Sequence, residues 1–180
     1  TGNGAFMFTL EDAQNLGAVL KSTGAAYSVN VYPAITNMDE PLGNMAGNWC
    51  EIMESVQCLK GNGPTDLMEV VYHLGEKALE MAKIKNPRAK MEGSINNGSA
   101  FHIFKEMVTA HGGDADSLID FNRHAPQSST KIAATKDGYV SSIDTLLLGN
   151  ALVEMGAGRK KILDIIDPSA GFTIHVKCGD

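Results

Sequence analysis

The chain has 180 residues, 43% hydrophobic and 20% charged, the balance of an ordinary globular protein of one large or two small domains. Its net charge of −6 and pI near 5.3 exclude the basic footprint that nucleic-acid binding normally requires. The longest apolar runs, such as Leu146-Leu147-Leu148, fall far short of the roughly 20 residues of a membrane span, so no membrane partner is expected.

The chain opens on Thr1-Gly2-Asn3-Gly4-Ala5-Phe6-Met7. Two glycines two apart let a backbone turn tightly or approach a ligand, and such loops serve at the carboxyl end of a strand. No strand precedes this one, so the chain is expected to begin partway through a domain. Thr9, with Asp12 three places on, reads as an N-cap. Leu10, Ala13, Leu16 and Leu20 then recur at helical spacing, and Gly24 is expected to end the helix. Tyr27 to Ile35 alternates and is rich in β formers, which predicts a strand. Loop, helix and strand in that order predict a βα unit feeding a parallel sheet.

Turn formers fill Thr36 to Asn44, at the carboxyl end of that expected strand. Trp49, Ile52, Met53, Val56 and Leu59 then mark an amphipathic helix that stops at Gly61. A second follows Pro64-Thr65-Asp66, a third starts at Asn86-Pro87 and closes at Asn96-Asn97-Gly98, and a fourth carries Phe101, Phe104 and Val108 to Gly112-Gly113. From about Pro126 the character changes. Lys131–Ala134 and Gly138–Ile143 read as short strands, Asp144 caps a helix running to Met155, and Phe172–Lys177 reads as another strand. The expected class is therefore α/β: part of a mixed-sheet α/β lobe over residues 1–126, then a small α+β C-terminal domain over residues 127–180. Gly179-Asp180 is a turn signal with nothing after it, so truncation at both ends is expected.

Cys50, Cys58 and Cys178 form no CxxC pair. Cys50 and Cys58 would lie about 12 Å apart along one helix, too far to bridge, so buried reduced thiols in a cytoplasmic protein are expected. His73, His102, His111, His124 and His175 make no pair at i, i+3 or i+4, which argues against a zinc site.

Particular strings carry a resemblance beyond spacing. Gly-Asn-Gly-Ala-Phe-Met at 2–7 resembles the Gly-Ser-Gly-Ala-Phe-Met string of thymidine and pyrimidine-nucleoside phosphorylases. Residues 35–43, Ile-Thr-Asn-Met-Asp-Glu-Pro-Leu-Gly, look like their Thr-Asp-Met-(Asn/Ser)-Gln-Pro-Leu-Gly. Gly47-Asn48 with Glu51 and Glu54, the stretch Leu59 to Leu67, Gly138-Tyr139-Val140, Gly156-Ala157-Gly158-Arg159 and Ile166 to Phe172 are similar to further family elements. The strings are collinear and cover nearly the whole chain.

The resemblance implies cleavage of a pyrimidine nucleoside by inorganic phosphate, releasing the base and a pentose 1-phosphate, with no organic cofactor. That chemistry needs a phosphate under C1′, stabilisation of an oxocarbenium-like sugar, and help for the departing base. Family members have a small helical lobe, a larger α/β lobe and a C-terminal α+β domain, and are usually homodimers. This chain resembles the second half of the α/β lobe and most of the last domain. The family's phosphate-binding loops, catalytic His and Arg/Ser/Lys pyrimidine trio lie upstream of position 1. No catalytic residue is carried over, and this span alone is expected to be inactive. The Lys that usually precedes the glycine string is absent, and Asn3 stands where Ser is usual.

Four residues can be carried over. Phe6 matches the family's Phe in the apolar wall of the base pocket; the alternative is a core anchor for the first helix. Leu42 and Met45, through backbone oxygens, and Glu54, through its carboxylate, match positions that hold a cation in some members. Such a donor set suits K⁺ or Ca²⁺; the alternative for Glu54 is a solvated helix carboxylate. Asp39-Glu40 reads as a solvated pair rather than an acid/base couple, Gly156 as a helix C-cap rather than part of a phosphate cradle, and most of the helical methionines as core. The rival readings are a related-fold AMP phosphorylase or phosphoribosyltransferase, and a non-catalytic binding module on the same scaffold. A dinucleotide site lacks the third glycine and the acidic residue about 20 positions on.

Overall fold

A computed structural model describes all 180 residues. The first helix, α1 (Leu10–Ala26), starts where Thr9 Oγ1 accepts from Asp12 N at 3.1 Å and donates to Asp12 Oδ2 at 2.6 Å. It runs two residues past Gly24, which corrects the expected stop. Gly24 is needed for close packing instead: a Cβ there would meet Val31 Cγ2 at 2.5 Å and the Val29 carbonyl oxygen at 2.8 Å. Gly17 sits two turns earlier on the same face, beneath Pro33.

That packing explains the main correction. Residues 27–35 form no strand, because they lie back along α1, with Val29 N donating to Gly24 O at 2.8 Å, and meet no ladder partner. The sheet has two strands, β1 (Met45–Gly47) and β2 (Gly171–Thr173), and is antiparallel rather than parallel, with Met45 opposite Thr173. The strand expected over Phe172–Lys177 is thus shorter and begins one residue earlier. Residues 131–134 make no backbone hydrogen bond, and Gly138–Ile143 pairs only through Val140, with Gly179 and Asp180. Two bonds to one residue do not make a ladder. Helices with a small sheet nonetheless give the expected α/β class.

The expected helices follow in order: α2 (Asn48–Leu59), α3 (Thr65–Met81), α4 (Pro87–Asn96), α5 (Ser99–Ala110) and α6 (Thr145–Glu154), with a 3₁₀ turn at Ala115–Ile119. The cap of α6 is Asp144, whose carboxylate accepts from Leu147 N at 2.9 Å. The core centres on α2, which packs on both strands and on α5; Val56 is fully buried and Trp49 stands edge-on to His124, ring centroids 5.0 Å apart. Arg88 ties α4 to α3, pairing with Glu69 at 2.6 Å and lying 3.8 Å from the Tyr72 ring centroid.

Two expectations about burial are corrected. Cys58 is buried and Cys50 half-buried, but Cys178 is exposed. Met81, Met107 and Met155 stand nearly half exposed rather than in a core. The accessible surface is 12677 Å², against ~8,400 Å² for a compact monomer of this mass. No helix is long and apolar enough to cross a membrane.

Candidate functional site

The glycine loop and the turn-rich segment 36–43 lie side by side. The Thr1 ammonium donates to Thr36 O at 2.6 Å, and Met38 N donates to Thr1 O at 2.6 Å. Ala5 N closes the turn on Gly2 O. Asn3 then ties the loop to the start of α6: its Nδ2 donates to Asp144 Oδ1 at 2.8 Å, and Thr145 Oγ1 donates to Asn3 Oδ1 at 2.6 Å. The position where Ser is usual is thus the one that bridges sequence segments 141 residues apart. Phe6, just beyond, is 98% exposed, which overturns the core-anchor alternative. An aromatic face this open is available to a flat ligand.

The expected cation residues cluster at β1 and α2. Glu54 is 8% exposed, so it is not a solvated carboxylate. Its Oε1 accepts from Asn44 N at 2.8 Å, and the carboxylate rests against Gly43, whose φ of +70° and lack of a Cβ make the approach open. The Leu42 carbonyl accepts no hydrogen bond within the chain. The Asn44 carbonyl accepts from Ile174 N, so by the alternation of an antiparallel ladder the Met45 carbonyl faces away from β2. Two carbonyls free of β2 and one buried carboxylate form a donor set of the kind a hard monovalent or divalent cation takes. No three His, Cys, Asp or Glu side chains converge here or elsewhere in the chain, so Glu54 is the one side-chain donor of this set. Met45 and Glu54 both line a cleft of about 570 Å³ shared with Gln57, Asn62 and Phe121.

The other candidates resolve into structure. Glu40 accepts from Cys178 N at 2.8 Å, and Asp39 N is turned onto Asn37 Oδ1. Gly156 has φ +96°, and the amides of Gly156 and Ala157 return to Val153 and Leu152 carbonyls, so this is a helix C-cap whose first two amides are already used.

Sequence reading missed Asp66 and Lys177. The Lys177 ammonium donates to Pro41 O, Gly43 O and Asp66 Oδ2 at 2.5, 2.6 and 2.9 Å, and Asp66 Oδ2 also accepts from Gly43 N at 3.0 Å. Burial alone would raise the Asp66 carboxyl, but the Lys177 ammonium and the Gly43 and Leu67 amides outweigh it and hold the group below its usual value. The signal that could have found this pair is the β1–β2 register, which a single sequence does not reveal.

Comparison with known proteins follows this layout. Residues 139–180 match the pyrimidine nucleoside phosphorylase C-terminal domain. Over its full length the chain is similar to a pyrimidine-nucleoside phosphorylase of Staphylococcus epidermidis, at 36% identity over 186 aligned positions, and to one of Staphylococcus aureus, at 37%. The chain spans 43% of the length of each of these relatives. The similarity to pyrimidine-nucleoside phosphorylases thus runs along the whole chain, from the glycine loop to the C-terminal strand, and its last 42 residues match that family's C-terminal domain.

Proposed function

We propose that the protein carrying this chain catalyses phosphorolysis of pyrimidine nucleosides, converting thymidine and phosphate to thymine and 2-deoxyribose 1-phosphate. The observation that carries this reading is the similarity to pyrimidine-nucleoside phosphorylases across all of the chain. In this reading Phe6 forms part of the apolar wall against the pyrimidine ring, and its complete exposure supports the role. Leu42 and Met45, through carbonyl oxygens, and Glu54 would hold K⁺ or Ca²⁺, whose charge would order the turn beside the substrate. Inorganic phosphate is the co-substrate, and no organic cofactor is needed. We further propose a cytoplasmic homodimer, and a division of this span into a partial α/β domain, residues 1–126, and a C-terminal α+β domain, residues 127–180.

The test is an assay of the whole protein with thymidine, uridine and AMP, with and without phosphate, following free base by chromatography. Thymine or uracil should appear only with phosphate, together with an equal amount of pentose 1-phosphate. Base release without phosphate, or release from AMP alone, would overturn the assignment.

A further inference from the structure

The segment that carries the Leu42 carbonyl is held by a charge that comes from the far end of the chain. An ammonium group has three donors, and those of Lys177 are all used: on Pro41 O at 2.5 Å, Gly43 O at 2.6 Å and Asp66 Oδ2 at 2.9 Å. Two backbone carbonyls and one carboxylate are also the donors that a hard monovalent cation takes. The sheet delivers the lysine to this cage. Met45 pairs with Thr173, Asn44 O accepts from Ile174 N, and continuing the same register places Lys177 opposite Pro41. Asp66, in the first turn of α3, closes the arrangement, because the oxygen that meets the ammonium also accepts from Gly43 N at 3.0 Å. The turn therefore presents two carbonyls to a cation and one amide to an anion, and the Leu42 carbonyl between them has no partner.

An ordinary surface ion pair would show only the Lys177–Asp66 contact, and such pairs are weak. Here the Lys177 side chain is 23% exposed and two of its three bonds go to backbone, which links charge to the conformation of residues 41–43. We propose that Lys177 is a tethered monovalent cation: its ammonium fills the cage of Pro41 O, Gly43 O and Asp66, and it is the positioning residue for the turn that presents the Leu42 carbonyl. Its consequence for a free cation at Leu42, Met45 and Glu54 rests on the functional reading above; the cage itself does not.

The test uses the whole protein and the variants Lys177→Ala and Lys177→Gln. Hydrogen exchange at the Gly43 and Asn44 amides is measured in choline, potassium, ammonium and methylammonium chlorides at equal ionic strength. In Lys177→Ala those amides should exchange roughly tenfold faster, the loss of charge-assisted bonds to the turn. Ammonium or methylammonium should slow them again, and choline should not. Lys177→Gln, a neutral donor, should exchange like Lys177→Ala. Unchanged exchange in Lys177→Ala, equal recovery in choline, or wild-type exchange in Lys177→Gln would each overturn the proposal. Should the variants fail to fold, the wild-type protein still decides: acetylation of the Lys177 amine should run roughly tenfold slower than that of the exposed Lys136, and equal rates would refute the cage. None of these readings depends on nucleoside chemistry. Loss of the phosphorolysis reading leaves them standing, and their failure leaves phosphorolysis untouched.

Discussion

Asp66 shows how one oxygen can set the pH response of a turn. Its carboxyl titrates below the usual carboxylate value of about 3.9 because the Lys177 ammonium and two backbone amides favour the charged form more than burial opposes it. A depressed folded value gives stability that is complete above about pH 4 and is lost as pH falls through the folded value. Asp66→Asn should therefore cost about 1 kcal/mol near neutrality, a figure reduced for the partial exposure of the pair. Urea midpoints of variant and wild type should converge below about pH 4, and a gap that stays constant on acidification would contradict the assignment. Phe6 poses the opposite case. Its ring is 98% exposed, so Phe6→Ala should leave the melting temperature unchanged. If the ring packs on the pyrimidine, kcat/KM for thymidine should still fall roughly fivefold, the worth of about 1 kcal/mol from an aromatic face. A variant with unaltered kcat/KM would remove Phe6 from the site.

Among elements, two helical glycines make opposite predictions from one substitution. Intrinsic propensity favours Ala over Gly inside a helix by about 1 kcal/mol. In α4 nothing lies within 4 Å of a Cβ on Gly93, so Gly93→Ala should raise the melting temperature. In α1 the new methyl of Gly24→Ala would meet Val31 Cγ2 at 2.5 Å and a backbone oxygen at 2.8 Å. Overpacking costs ~1–3 kcal/mol, so there the clash wins and the melting temperature should drop. The same glycine shows where the sequence was legible and where it was not. Local signals found all six α-helices, because caps such as Thr9 and Asp144 and the 3.6-residue stripes act within a few residues. The strand read over residues 27–35 was wrong because alternation reports an extended, half-buried segment without saying what covers it. Here a helix face with Gly17 and Gly24 does, in place of a neighbouring strand. At the proposed site, Phe6, Leu42, Met45 and Glu54 are candidates only through their likeness to family strings, and no such string points to Lys177. Its three partners lie 111 to 136 residues away, and only the sheet register brings them together.

At the scale of the whole molecule, the surface decides what these 180 residues can do alone. Their accessible area is 12677 Å², about half as much again as the ~8,400 Å² of a compact monomer of this mass. The excess is strongly apolar in places: Ile162, Leu163 and Ile165 each stand more than 90% exposed within four residues. Apolar surface left in water is the term that folding normally removes, at about 25 cal/mol per Å². Contiguous patches of it drive association. Expressed alone, the 180-residue polypeptide should therefore bind a hydrophobic dye such as ANS strongly and sediment as a mixture whose mean mass rises with concentration. On the phosphorolysis reading, which assigns it no catalytic residue, it should also release no thymine from thymidine and phosphate. Adding lysine or glutamate at Ile162 and Leu163 should reduce dye binding and association while leaving the helical circular-dichroism signal in place, since neither side chain packs on α1–α6. A dye-dark monomer with a radius of gyration near the ~16 Å of a compact chain of this length would show that the exposed face closes on itself in solution.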